Sequence, residues 1–120
     1  MTKRYRMLRP DQENITMEAS DLVPAAAFTT DDTTETNHTF YERDGGKIIA
    51  GIWTCAPTRE AIDAYPVDEM MTVISGSVTI TNADGEAEVF GAGDSFFIEK
   101  GAKLTWEITE TLTKHYFVAE

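Results

Sequence analysis

The sequence predicts a single all-β domain closed into a jelly-roll barrel, and three observations carry that prediction. Apolar residues recur with a period of two rather than 3.6, as in SVTIT (77–81) and KLTWEIT (103–109). Glycine and Asn-Asp turns separate short β-branched and aromatic segments at a spacing of roughly 8 to 12 residues, which leaves no room for helical crossovers. With 120 residues, 42% of them hydrophobic, the chain can fill one core and hardly two.

Taken in order, residues 1–40 read as an N-terminal arm and loops belonging to the same domain, with at most one short strand. The stretch DDTTETNH (31–38) is polar and poor in core formers. Residues 41–120 read as the barrel. HTFYER and KIIAGIWTCA flank Asp44-Gly45-Gly46, a hairpin signal, and MMTVIS meets SVTITN at Gly76. Asn82-Ala83-Asp84-Gly85 leads into EAEVF, GAGD opens SFFIEK, KGA opens KLTWEIT, and LTKHYFVA closes the series. For seven or eight strands in about 80 residues, closure is the simplest way to avoid exposed edges.

Charge and composition exclude several functions. With 21 acidic against 10 basic side chains the net charge is −11, a field that repels phosphate backbones, so nucleic acid is not an expected partner. No apolar run approaches the ~18 residues of a membrane span, and MTKRYRMLRP lacks a secretory apolar stretch, so a cytoplasmic location without membrane contact is expected. Lys3, Arg4, Arg6 and Arg9 make the arm basic, suited either to the acidic body of a neighbouring subunit or to plain solvation. The lone Cys55 can form no internal disulfide or multi-thiolate zinc site, and reads as a small buried hydrophobe.

Two motifs bear a resemblance. Glu69 followed by MMTVIS and Gly76, and Gly93 followed by DSFFI with Gly101 further on, resemble the two motifs of the cupin family, although Glu99 stands where the family commonly has proline. The run GIWTCAP, YPVDEMMTVISGSVTIT, FGAGDSFFIEKG, LTWEI and TKHY, within residues 47–118, is similar more narrowly to the cupins that include the (S)-ureidoglycine aminohydrolase barrels. The resemblance implies a double-stranded β-helix, and in metal-binding members a cage of three histidines and one glutamate. Here Asp63 and Tyr65, or Ile62 and Ala64 with the longer spacer, stand at the first two histidine positions and Leu104 at the third, so Glu69 is the one matching ligand and no metal is expected.

Strand alternation places Met71 and Val73 inward with Glu69, and Met70, Thr72 and Ile74 outward; the same alternation from Leu104 turns Trp106 and Ile108 inward. In the last strand Lys114 and Tyr116 share one face and His115 takes the other, and the apolar residues do not decide which is inner. The expected site is therefore Glu69 with Tyr116 or His115 for acid/base work, and Asp63, Tyr65, Met71, Trp106, Lys114 and Leu104 for contact with a small polar ligand, amine- or ureido-bearing by resemblance. A non-catalytic binding module and a structural module with a filled barrel are the alternatives. A homodimer is expected through the outer face, with Ile74, Met70 and Ile52 as its candidates.

Overall fold

The computed structural model describes residues 4–11 and 15–120; Lys3 of the basic arm lies outside them. Eight strands follow one another: β1 Glu18–Ala19, β2 Glu35–Arg43, β3 Ile48–Cys55, β4 Thr58–Ile62, β5 Asp68–Asn82, β6 Ala87–Gly91, β7 Ser95–Ile98 and β8 Leu104–Ala119. All pairings are antiparallel, in the order β1-β2-β3-β8-β5-β6, with β4 also on β8 and β7 also on β5. The frame is the ladder between the two long strands, which runs from Asp68 opposite Ala119 to Asn82 opposite Leu104. β3 and β7 flank one half of that ladder, β4 and β6 the other. The long strands thus belong to two sheets and bend between them, the cupin jelly roll.

The bend has a local cause. Register shifts cluster between Val73 and Val78, and Gly76 sits among them with φ +84°. A Cβ at Gly76 would collide with the Thr111 carbonyl, so only glycine lets β5 cross this close to β8. The inward set of β5 changes parity there, from Glu69, Met71 and Val73 to Val78. The sequence reading divided β5 at Gly76 and β8 at Glu110-Thr111; both run on as single bent strands. β4 escaped that reading because Arg59 and Glu60 interrupt its apolar pattern and Pro57 precedes it. Strand β2 begins at Glu35, within the segment read as a loop, since the residues it turns inward are polar.

Of these, Glu35 ties the N-terminal segment to the barrel. Its buried carboxylate accepts hydrogen bonds from Ser20 Oγ (2.7 Å), the backbone N–H groups of Leu22 (3.2 Å) and Val23 (3.0 Å), and Trp53 Nε1 (2.9 Å). Burial by itself raises the carboxyl pKa, but the bonds from Ser20, Trp53, Val23 and Leu22 outweigh it and the net shift is downward from 4.5. A folded pKa depressed in this way supplies stability that is fully present above the unfolded value and is lost as pH falls through the folded one. The urea midpoint of Glu35→Gln is accordingly expected below that of the wild type at neutral pH, with the gap narrowing below pH 4.5. A gap constant through acid would show that the ionised form has no special role.

Cys55, Leu112, Val78, Ile108, Met71 and Val73 fill the core between the sheets. Fully burying side chains of this kind contributes about 1.5–3 kcal/mol each. On the outer face, Phe97, Met70 and Phe117 stand in register across β7, β5 and β8 and form an apolar stripe, each about half exposed. Met70 takes its expected outward place. Ile52 does not serve as an exposed outer residue: it is 1% exposed. Among the described residues no helix is long and apolar enough to cross a membrane.

Candidate binding site at one end of the barrel

Followed along β8 toward its end, the inner face passes from Leu112, fully buried, to Lys114 and then to half-buried Tyr116. Along β5 toward its start it passes from Val73 and Met71 to Glu69. Cross-strand register sets Val73 opposite Lys114 and Met71 opposite Tyr116, so a polar group emerges at one end of an apolar core.

The cluster is closely knit. Lys114 Nζ donates to Glu69 Oε2 at 2.8 Å, and Tyr65 Oη donates to Glu69 Oε1 at 2.7 Å. The ammonium lies 4.7 Å from the Trp53 ring centroid and 4.8 Å from that of Trp106, with Met71 Sδ at 3.4 Å. A lysine is tolerated inside for three reasons: its stem fills space between two indoles, its charge meets two π faces worth up to ~2 kcal/mol each when desolvated, and a carboxylate neutralises it. Burial, then the Glu69 charge and hydrogen bond, push the Tyr65 phenol well up, so Tyr65 remains a protonated donor.

A second tyrosine forms the rim. Tyr116 Oη donates to Asn37 Oδ1 at 2.5 Å, and burial raises its pKa despite hydrogen bonds to Thr39 and Asn37 that act the other way. Its ring lies against Gly51, where a Cβ would come within 2.5 Å of both Tyr116 Oη and the His38 carbonyl oxygen. Gly51 is thus required by close approach.

The structure therefore brings together Glu69, Tyr65, Met71, Trp106 and Lys114, with Tyr116 at the edge, and it answers the question of the last strand in favour of the Lys114 and Tyr116 face. His115 is corrected: it points to the outer side, edge-on to Phe40 at 6.3 Å, with its buried Nε2 unpartnered among the described residues, and has no part in the Glu69 cluster. Asp63 is corrected as well. Asp63 is exposed just past the end of β4 and lines a cleft of about 180 Å³ with Ala61, Thr81, Asn82 and Lys103; Leu104 borders the same cleft but takes its expected inward place, buried in the core cluster of Tyr65, Met71 and Trp106. Spacing along the chain could not foresee that Asp63 turns to solvent two residues before Tyr65 enters the core. Trp53 and Asn37 were missed by the sequence reading. Trp53 shares the strand parity of the inward Cys55, a usable signal; Asn37 lay in the polar segment and had none. Cys55 itself is inert: burial first, then the Glu35 charge, push its thiol pKa up to about 12.

These donors do not fit the metal cage that metal-binding cupins carry. Both oxygens of Glu69 are engaged, one by an ammonium and one by a phenol held protonated, and Leu104 offers no lone pair. Among the described residues no three His, Cys, Asp or Glu side chains converge as a metal group.

Comparison with known proteins agrees with the fold and extends it. The model of the EutQ-like cupin domain matches residues 42–116. A DUF861-family protein of unknown function from Pseudomonas syringae pv. tomato superposes with a TM-score of 0.73 at 20% identity over 87% of this chain, which spans only 44% of that protein. The EutQ protein of Clostridium difficile gives 0.60 at 19% identity, covering 72% of this chain and 68% of its own. A putative ethanolamine utilization protein Q from Salmonella typhimurium gives 0.61 at 16% identity, covering 88% and 96%. At these identities the likeness is one of fold. No protein of curated function matches the chain. With its two motifs, its bent long strands and a family match over well more than half its length, the chain belongs to the EutQ-like cupin family.

Proposed function

We propose that this chain is a small-molecule-binding cupin that takes a neutral ureido- or carboxamide-bearing metabolite against the Glu69–Lys114 pair. One observation carries the reading: a carboxylate and an ammonium face each other at 2.8 Å at the polar end of an otherwise apolar core, one inward position inside half-buried Tyr116.

The chemistry of the pair selects the ligand. Each oxygen of Glu69 accepts one internal hydrogen bond and retains a lone pair, while Lys114 keeps donor capacity beyond its bond to Glu69. A ureido or carboxamide group offers N–H donors to the first and a carbonyl acceptor to the second. A free alkylamine would set a second positive charge beside Lys114, so the amine half of the expectation from sequence recedes. Turnover recedes with it. The tyrosines are donors held protonated, and both oxygens of Glu69 are already held by internal donors, an arrangement suited to binding more than to proton abstraction. The narrower resemblance to ureidoglycine aminohydrolase barrels supports this ligand class, whereas the metal-dependent hydrolysis does not suit these donors.

Calorimetric titration with N-alkylureas, ureido acids, carboxamides and ethanolamine tests the reading. Ureido or carboxamide compounds are expected to bind and ethanolamine not, and Glu69→Gln is expected to weaken binding by about tenfold or more, the loss of one charge-assisted hydrogen bond. Binding of ethanolamine alone, or affinity unchanged in Glu69→Gln, would overturn it.

A further inference from the structure

We infer that the ammonium of Lys114 is a tethered counter-cation that takes the place of a divalent metal beside Glu69. The inference rests on the cluster alone and stands whether or not a ureido ligand binds.

Charge balance is the first ground. One carboxylate faces one ammonium at 2.8 Å, so the Glu69 cluster is neutral as built. A divalent ion added at Glu69 would leave excess positive charge in a poorly screened core and would have to displace Lys114 to reach Oε2. The shape and softness of the surroundings are the second. Two indole faces at 4.7 and 4.8 Å and a thioether at 3.4 Å suit an alkylammonium with its apolar stem, whereas a metal ion needs several further oxygen, nitrogen or thiolate donors that these walls do not offer. The third ground is that Tyr65 holds the other carboxylate oxygen. Glu69 is thereby fixed by two internal donors, as a metal would have fixed it.

The cation's role is open to chemical rescue. Lys114→Ala removes the length of an n-propylammonium ion, so added n-propylammonium is expected to raise the melting temperature of that variant in a dose-dependent way, while n-propanol at equal concentration does not. Wild-type protein purified without chelator is expected to contain metal far below one ion per chain, and its melting temperature is expected to be unmoved by EDTA or by added zinc, manganese or nickel. Should Lys114→Ala fail to fold, Lys114→Arg against Lys114→Met decides the role of charge: arginine is expected to melt higher. Rescue by propanol equal to that by propylammonium, no rescue by propylammonium, or methionine matching arginine would overturn the cation role. Stoichiometric metal in the wild type, lost in Glu69→Gln, would overturn the replacement of the metal.

Discussion

Lys114→Met is expected to destabilise the fold by about 3–5 kcal/mol, the largest effect of any single substitution in the cluster. Methionine keeps most of the stem between Trp53 and Trp106, so little packing is lost. What is lost is the charge opposite Glu69, whose side chain is only 8% exposed. A carboxylate left there must stay ionised with Tyr65 as its one remaining partner or take up a proton, and either route costs free energy. Removal of the cation–π contacts with both indoles adds to the loss. Urea denaturation would read the difference as a lowered midpoint with an unchanged slope. A loss below about 1 kcal/mol, the range of exposed pairs, would mean that water reaches the cluster freely and that it is no interior ion pair.

Gly76→Ala is the second large effect, about 3 kcal/mol or more. A φ of +84° costs any residue with a Cβ on the order of 1–3 kcal/mol, and here the added carbon also meets the Thr111 backbone, which cannot yield without opening the β5–β8 ladder. Gly93→Ala supplies the control. Its φ is +90°, yet nothing lies within 4 Å of an added Cβ, so it carries the conformational cost alone. Thermal unfolding is expected to rank Gly76→Ala well below Gly93→Ala. Equal losses would show that close approach at the bend is not what requires glycine.

Much of the barrel was legible because alternation is a strong signal wherever one face is apolar. Met71, Val73, Trp106 and Ile108 could be assigned inward from their parity alone, and the turns at Gly76 and Asp84-Gly85 marked where chain direction or register changes. Legibility failed where polarity and burial part company. Glu35 and Asn37 face inward on β2, which disguised a strand as a loop. On β8, Lys114 is buried and Phe117 is half exposed, the reverse of what side-chain hydrophobicity suggests. That inversion could not be read locally, because the partner that makes Lys114 an interior residue, Glu69, lies 45 residues away in sequence. Spacing along the chain likewise placed Asp63 in the site, whereas it stands exposed just past the end of β4.

The central claim is that Lys114 is the cation of Glu69. A double-mutant cycle of Glu69→Gln, Lys114→Met and the two together tests it most directly, read as unfolding free energies in urea. Each single variant is expected to lose much more than half of what the double variant loses, with a coupling energy of about 2–3 kcal/mol, because the second substitution removes the unpaired charge that the first one created. Additive losses, with coupling near zero, would contradict it.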